Sequence, residues 1–530
     1  FIFIISLLFV FAYCHPALKD AKETDEKLKI KEILDRKREK AAQELLKSNV
    51  NKRNAFDIQE LVDQIKGKID INGLKKNIFS ENTQSSNNEI NVNRNIQEFE
   101  ERLKSVDGKI KSKLNAIFNK SRVVRASEPI ENNNSGEFYQ GDILLSLEQT
   151  QDLAEDDKDE NRERRSAYTG NHEFKWPLYQ PISYSISNQY TQALADNIRK
   201  GFKFWSDNTC LNFQENGSTT PRIIVNSGNG CYSYVGRQYQ SISQELSLGS
   251  GCELEGTIVH EIAHALGLQH TQSRWDRDSY INIHADNIDS RYLGNFDRMN
   301  QATNNNFGVD YDYGSVMHYD QFAFALSSSK RTITAKDEYS QITMGQRERA
   351  AFSDVKILNS LYECHKRCPS TLPCQNGGII DSKNCNSCIC PYMFSGQICA
   401  DRHPGRGYNA SQSICGNSLE ASPSWQSING LIGVAWSIYK DNLTECFWNI
   451  DAPYGKKIEV RLNNADVYCS PECYWQGIEL FMRGSTMGGY KFCCMGEVAG
   501  KIIQSTESSI SIRLYARYHT APLNVDYRFI

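Results

Sequence analysis

The chain has 530 residues, which at about 100–200 residues per domain corresponds to roughly three to five folded units. A hydrophobic content of 39%, with 11% aromatic residues, is sufficient for globular cores and excludes wholesale disorder. The formal net charge of −4 argues against nucleic acid as a partner, and the lack of an internal apolar run of about 20 residues argues against a membrane anchor.

Residues 1–14 are typical of a secretory signal peptide whose N-terminal end is missing. Phe1 to Tyr13 is almost continuously apolar, and Ala12-Tyr13-Cys14 is a small-x-small cleavage site. A buried strand of a truncated domain is the alternative. Loss of Cys14 with the signal leaves 16 cysteines, which begin at Cys210 and fall into groups of four, six and six. This even number predicts a secreted, extracellular and disulfide-bonded protein.

Residues 15–165 have the composition of a propeptide. From Lys19 to Gln64 charged residues dominate, with sparse Leu and Ile at helical spacing, whereas 77–97 and 131–136 are rich in Asn and Ser. We therefore expect a mostly flexible or helical prodomain. It ends in Arg162-Glu163-Arg164-Arg165, which suits a processing endoprotease that cuts between Arg165 and Ser166; an ordinary charged linker is the alternative.

Three further regions follow the propeptide. Residues 166–366 have a globular composition, with a helix predicted from Thr191 to Trp205 and a strand predicted at Arg222–Asn226. Residues 367–400 contain six cysteines in a segment too small to fold without disulfides. Residues 415–530 show the alternation of β-strands, at Ile458, Val460 and Leu462 and again at Ile510, Ile512 and Leu514.

A helix with two histidines carries the most specific chemistry in the sequence. His260 and His264 are one helical turn apart and point the same way, so both can bind one metal ion. Glu261 projects beside them, where it can accept a proton from water at the metal. Gly267 can adopt a positive φ and end the helix, so that His270 returns as a third ligand. Three neutral nitrogens leave Zn²⁺ an open position for water; a structural zinc or three core histidines are the alternatives.

A second pattern downstream supports this interpretation. The segment Ser315–Tyr319 predicts a tight turn in which the thioether of Met317 forms an apolar floor under the histidines. The phenolic oxygen of Tyr319 could reach the metal from this turn. We expect His318 to be structural.

On these motifs the chain resembles the astacin family of metzincin metalloendopeptidases over residues 166–364. The resemblance extends to Lys175–Pro177, Ser273–Asp278, Tyr311–Ser315 and Met344–Arg347. It implies an α+β metzincin protease domain with one Zn²⁺ per chain bound by His260, His264 and His270. It also implies that Glu261 is the general base and that Tyr319 is a fifth zinc ligand that swings away to stabilise the oxyanion.

The resemblance covers the cysteines and the C-terminal modules as well. It implies the disulfides Cys210–Cys364 and Cys231–Cys252 in the protease domain. Residues 367–400 are similar to an EGF-like module with a Cys390–Cys399 disulfide, and 415–530 resemble an all-β CUB sandwich with a Cys415–Cys446 disulfide. This order of domains is similar to that of nematode astacins that act on cuticle or egg coverings. The expected partners are extracellular protein substrates and a matrix component bound by the CUB or EGF-like domain.

Two positions depart from the family pattern. The family usually has Glu after the third histidine, where it faces the buried mature N-terminus; Thr271 stands there in this chain. We therefore expect mature forms that start one or two residues away from Ser166 to retain most activity. In the prodomain, the family sequence Phe-x-Gly-Asp is replaced by Tyr139–Asp142, with Phe138 one position out of register. The resemblance implies that Asp142 binds the zinc in the zymogen; an ordinary turn aspartate is the alternative.

Five Asn-x-Ser/Thr tripeptides are candidate glycosylation sites on surface loops. They are Asn119, Asn133, Asn216, Asn409 and Asn442.

The sequence thus predicts a secreted zinc metalloendopeptidase made as a zymogen, in which Glu261 assists the attack of water on the peptide bonds of extracellular proteins. The alternative from another class is a non-catalytic matrix-binding or adhesion protein on a protease scaffold, because EGF-like and CUB modules suit that role. Every element of the predicted site is present in the sequence, which favours the enzyme.

Overall fold

The computed structural model describes residues 138–156, 172–301, 304–369, 372–406, 415–433, 443–463, 467–494, 499–517 and 519–530, together with Ile33. For residues 152–156 it describes the backbone only. The predicted signal peptide, most of the propeptide, the Arg165–Ser166 cleavage site and the candidate sites Asn119, Asn133, Asn409 and Asn442 lie outside these residues. Within them, no helix is both long enough and apolar enough to cross a bilayer.

The N-terminal half of the described chain is built on a six-stranded sheet. Its strands are β1 (Ile143–Leu144), β2 (Ile182–Ile186), β3 (Phe213–Glu215), β4 (Arg222–Asn226), β5 (Cys231–Tyr234) and β6 (Ser243–Leu248), in the order β1-β5-β6-β4-β2-β3. All neighbouring strands are parallel except β5 and β6. The edge strand β1 belongs to the predicted propeptide, so this segment completes the sheet of the predicted protease domain.

Helices of the described chain pack on this sheet and on one another. They are α1 (Leu147–Asp156), α2 (Gln192–Asp207), α3 (Glu255–Ala265) and α4 (Phe352–Leu361). The N-terminus of α2 is capped by Thr191, whose side-chain oxygen accepts a hydrogen bond from the Leu194 amide at 3.3 Å. One face of α2, with Ile198, Phe202 and Trp205, is buried in the same core as the apolar residues of α3. The predicted helix and the predicted strand at Arg222–Asn226 are both confirmed.

The segment of the predicted protease domain between α3 and α4 has little regular structure. A two-stranded sheet joins β7 (Ile281–Ile283) to β8 (Ile333–Ala335), and short 3-10 turns connect the remaining segments. The Cys210–Cys364 disulfide links the residues after α2 to those after α4, and Cys231–Cys252 joins β5 to the segment before α3. The first of these spans 154 positions, for which a loop-entropy model gives a stabilisation of about 4–5 kcal/mol.

The cysteine-rich segment contains two small antiparallel ladders. These pair β9 (Ile379–Ile380) with β10 (Cys388–Ile389), and β11 (Phe394–Ser395) with β12 (Asp401–Arg402). Its disulfides are Cys368–Cys385, Cys374–Cys388 and Cys390–Cys399. The first cysteine therefore pairs with the third, the second with the fourth, and the fifth with the sixth.

The C-terminal region is a sandwich of two sheets. One contains β13 (Ser418–Glu420), β15 (Thr444–Asp451), β20 (Ser509–Ala516), β17 (Gln476–Phe481) and β18 (Tyr490–Phe492), in that order; the other contains β14 (Gln426–Gly433), β21 (Thr520–Phe529), β16 (Ile458–Leu462) and β19 (Ile502–Gln504). The alternation predicted at Ile458, Val460 and Leu462 is confirmed, since all three are buried between the sheets. The disulfides of this C-terminal region are Cys415–Cys446, Cys469–Cys494 and Cys473–Cys493.

Candidate metal centre

The helix α3 brings the first two candidate ligands, His260 and His264, to one buried face. The helix ends because Gly267 adopts a φ of 106°, which a side chain would disfavour. Two side chains satisfy carbonyl groups at this end: the Trp176 indole donates to Ala265 at 2.7 Å and the Tyr362 hydroxyl to Leu266 at 3.0 Å. The chain then turns back and carries His270 to the same place.

Each histidine is oriented by a hydrogen bond at its second ring nitrogen. The Nδ1–H of His260 donates to the Val316 carbonyl, and that of His264 donates to the Leu268 carbonyl, both at 2.8 Å. The Nδ1 of His270 lies 3.0 Å from the side-chain oxygen of Gln140. These contacts place the protons on Nδ1 and leave the Nε2 lone pairs for a metal ion.

The donor atoms converge with the spacing that zinc requires. Ligand atoms of Asp142 and of the three histidines all lie within 4.8 Å of one another. The His260 and His264 Nε2 atoms are 3.1 Å apart, and the Asp142 carboxylate oxygens lie 3.1–3.7 Å from the three Nε2 atoms. Four donors at about 2.0–2.1 Å around a tetrahedral Zn²⁺ would be about 3.3 Å apart. These residues therefore fit the ion.

Burial favours the neutral imidazoles of His260 and His264, the form in which histidine binds a metal ion. Burial, with the nearby Arg347 guanidinium, lowers the pKa of His260 to about 4. Burial likewise lowers the pKa of His264 well below its usual value.

Glu261 lies beside the histidines and has the properties of a proton acceptor. It is 1% exposed, and its Oε2 atom has no hydrogen-bond partner among the described residues. Burial, reinforced by the Asp142 carboxylate, raises the pKa of Glu261 well above its ordinary value. A carboxylate with a raised pKa and a free oxygen is suited to take a proton from water at the metal.

The described end of the predicted propeptide inserts into this site as a tight turn. Tyr139 and Ile143 form an isolated antiparallel bridge, so that Gln140 to Asp142 occupy the bend. The Ser233 amide of β5 donates to the Asp142 carbonyl at 3.0 Å, which anchors the turn on the edge of the sheet. Phe138, out of register with the family sequence, is buried with its ring 4.8 Å from that of Tyr232.

The turn after the histidines lies close to the metal centre. The Tyr319 ring is 4.7 Å from the ring of His270, and its hydroxyl donates to the Gln140 carbonyl. Met317 is buried in the same apolar core as α3. His318 bonds the Tyr311 hydroxyl and the Tyr319 carbonyl, both at 2.7 Å, so both of its ring nitrogens are used within the protein.

Thr271, which replaces the family's glutamate, is part of a buried hydrogen-bonded chain. Its hydroxyl donates to Ser315 Oγ at 2.7 Å, and that hydroxyl donates to the Asp354 carboxylate at 2.6 Å. Burial raises the pKa of Asp354 to about 7, against the opposing effect of the Ser315 hydrogen bond. An acidic group is therefore present two hydrogen bonds from Thr271, while Ser166 lies outside the described residues.

Two glutamines support the site without having been singled out in the sequence. Gln140 accepts from the third histidine, and Gln272 accepts the Tyr319 amide at 3.0 Å. Gln140 stands within the predicted inhibitory turn, and Gln272 follows two residues after His270, so proximity to the motifs was the available signal. The remaining candidate, Asn216, is exposed directly after β3 and is accessible to glycosylation.

Comparisons with known proteins agree with this geometry. The family model described as Astacin (Peptidase family M12A) matches residues 168–363, and the CUB domain model matches residues 431–522. The zinc metalloproteinase nas-28 of Caenorhabditis elegans is 36% identical over 397 residues, which cover 74% of this chain and 79% of that protein. The zinc metalloproteinase nas-27 of the same organism is 33% identical over 429 residues, which cover 77% and 96%. A solved structure of high choriolytic enzyme 1, a hatching enzyme zinc-protease from Oryzias latipes, has 36% identity and a TM-score of 0.32, and covers 34% of this chain and 88% of that one.

Proposed function

Because the chain belongs to the astacin family of zinc metalloproteinases, we propose that it is a secreted endopeptidase, made as an inactive zymogen, that cleaves extracellular proteins. The carrying observation is the Asp142 carboxylate, which lies among the Nε2 atoms of the three histidines. A zinc ion held by the three imidazoles would have this carboxylate, rather than water, as its fourth donor. That the substrates are cuticle or egg-covering proteins is a prediction that rests on the resemblance alone.

The residues of the site have separate tasks in peptide hydrolysis. The three imidazoles would hold a zinc ion, which would supply a Lewis acid for the scissile carbonyl and for the attacking water. Glu261 accepts a proton from that water and returns it to the amine of the leaving peptide. Tyr319 donates its phenolic proton in a hydrogen bond to the substrate oxyanion, once the Gln140 carbonyl has been removed with the propeptide.

The edge of the protease sheet supports a polypeptide as the substrate. The propeptide strand β1 pairs in parallel with β5, with Ile143 opposite Ser233 and Leu144 opposite Tyr234. When the propeptide leaves, the backbone groups of β5 become available to an extended peptide, which is a common mode of peptide binding. The same edge leads directly to the metal centre through Asp142.

Peptide-library cleavage by the chain cut after Arg165 tests the function. We expect hydrolysis of internal peptide bonds that is lost with a chelator and regained with Zn²⁺. Activity that resists the chelator would contradict a zinc peptidase. Cleavage confined to the ends of the peptides would contradict an endopeptidase.

Latency through Asp142 predicts that the uncut Asp142→Ala chain hydrolyses peptides, whereas the uncut wild-type chain does not. The physical reason is that alanine has no group to occupy the metal's open position. Both chains carry Arg165→Ala to prevent cleavage, and peptide turnover is the measurement. Glu148→Gln is the matched control, because Glu148 accepts from the Tyr239 hydroxyl at 2.8 Å and so binds the same segment away from the metal. If the Asp142→Ala zymogen stays inactive, burial of the cleft by the rest of the propeptide is the lock.

A further inference from the structure

The CUB domain contacts the protease domain through buried charged side chains, here called the ion cluster. Its members are Glu348 and Arg349 of the protease domain and Glu445, Glu479, Lys491 and Arg513 of the CUB domain. Arg513 is fully buried at the centre: its Nε lies 2.7 Å from a Glu445 oxygen and its Nη1 lies 3.0 Å from a Glu479 oxygen. Its Nη2 donates to Glu348 across the domain boundary.

The ion cluster joins the two domains because its ion pairs cross the boundary between them. Each carboxylate in the cluster has at least one cationic partner. Glu348 also accepts from Lys491 Nζ at 3.0 Å, and Glu479 accepts from Arg349 Nη2 at 2.9 Å, so ion pairs cross the boundary in both directions. A buried charge that loses its partner is strongly destabilising. Separation of the domains would break these pairs, which favours the docked arrangement.

A second contact lies beside the ion cluster and brings two backbones together. Both carboxylate oxygens of Asp312 lie 3.0 Å from the Gly488 amide of the CUB domain. A Cβ atom built on Gly488 would lie 2.7 Å from the Cα atom of Gly314, closer than real side chains approach. The hydroxyl of Thr343 likewise donates to the Gly489 carbonyl at 3.1 Å. Only a glycine at 488 permits this approach.

The protease segments in these contacts also contact the active site. The backbone carbonyl of Arg347, next to Glu348, accepts a hydrogen bond from the Gly256 amide in the first turn of α3 at 3.1 Å. The Arg347 guanidinium donates to the His318 carbonyl at 3.1 Å. Gly314 directly precedes the turn that carries Met317 and Tyr319. The CUB domain therefore touches the segments that hold both the histidine helix and the turn below it.

We infer that the CUB domain is an intramolecular partner of the active site: its ion cluster and Gly488 hold residues 343–349 and 312–314, and these in turn position α3 and the Met317 turn for catalysis. Arg513 and Gly488 are thus positioning residues for the proposed peptidase reaction, on which this inference rests. Small displacements of catalytic groups reduce turnover steeply, because the reacting atoms must be aligned.

Two variants of the full, activated chain test this coupling. Gly488→Val inserts a side chain between the domains, and the three atoms nearest its Cβ all belong to the protease domain, so the CUB fold itself is spared. Arg513→Gln removes the central cation but leaves a cation for each acid, because Lys491 pairs with Glu348, Arg349 with Glu479 and Arg406 with Glu445. Tyr454→Ala is the control within the CUB domain, since the Tyr454 side chain is fully exposed.

The measurements are kcat and KM on a short peptide, and hydrogen exchange of residues 255–265 and 343–349. For both variants we expect kcat to fall about 10-fold or more with a similar KM, and exchange to rise in both segments, while Tyr454→Ala behaves as wild type. An unchanged kcat in both variants, or an equal fall in the control, overturns the inference. If the wild-type chain hydrolyses no peptide, the proposed function has failed, and the exchange data still decide whether the CUB domain is coupled to α3.

Discussion

Replacement of Glu261 by Ala should remove peptide hydrolysis and leave the bound zinc in place. The carboxylate is not one of the converging ligand atoms, so the three imidazoles and the open position are unchanged by its loss. A positioned acid–base group contributes about 10²–10⁴-fold to rate, and kcat/KM should fall by that factor. Zinc content by elemental analysis and peptide hydrolysis of the activated chain are the two measurements.

The control for this prediction is Glu255→Ala, which removes an exposed acid from the first turn of the same helix. It should keep both zinc and activity. A Glu261→Ala enzyme that turns over peptide at the wild-type rate would remove Glu261 from the mechanism. Loss of zinc together with activity would mean instead that Glu261 maintains the metal centre.

Replacement of Tyr319 by Phe should lower kcat by about 10²–10³-fold with little change in KM, because one oxyanion donor contributes that much in comparable sites. Burial raises the pKa of Tyr319 well above its ordinary value, so the phenol keeps its proton and can donate at neutral pH. In the structure this hydroxyl already donates to a carbonyl oxygen, that of Gln140. Steady-state kinetics on the activated chain measure the effect.

Tyr313→Phe is the matched control for Tyr319→Phe. Tyr313 is buried in the same aromatic cluster, and its hydroxyl donates to the Tyr280 carbonyl at 2.8 Å rather than facing the metal centre. Its kcat should stay near that of the wild type. A Tyr319→Phe enzyme whose loss is entirely in KM would place Tyr319 in substrate binding rather than in oxyanion stabilisation.

The family and the metal-binding helix could be predicted from the sequence because both depend on local spacing. Residues four apart on a helix face the same way, so His260 and His264 define a shared ligand face without knowledge of the fold. The Gly267 φ follows equally from the local need to end that helix. The predicted membership of the astacin family and the predicted zinc cofactor are confirmed by the matches to the family model and to the nematode relatives.

Local spacing does not determine how the cysteines pair. Their even number in three groups indicates a disulfide-bonded protein, but six cysteines allow 15 pairings, and spacing alone selects none of them. The pairs Cys368–Cys385 and Cys374–Cys388, and both pairs within 469–494, came only from the structure. Disulfide formation requires Cα atoms about 4.4–6.8 Å apart, and such proximity is a property of the folded chain.

The tertiary structure alone decided how distant segments serve the site. Arg513 reaches Glu348 across 165 positions, a contact that no motif in the sequence indicated. The carbonyl acceptor of His260, Val316, is likewise contributed by a segment 56 positions away. Such contacts depend on which charges and polar groups become buried together, since each then needs a partner to offset its lost hydration. Helical spacing is set by backbone geometry within one turn, whereas the choice of buried partner is made only when the sheets and helices pack.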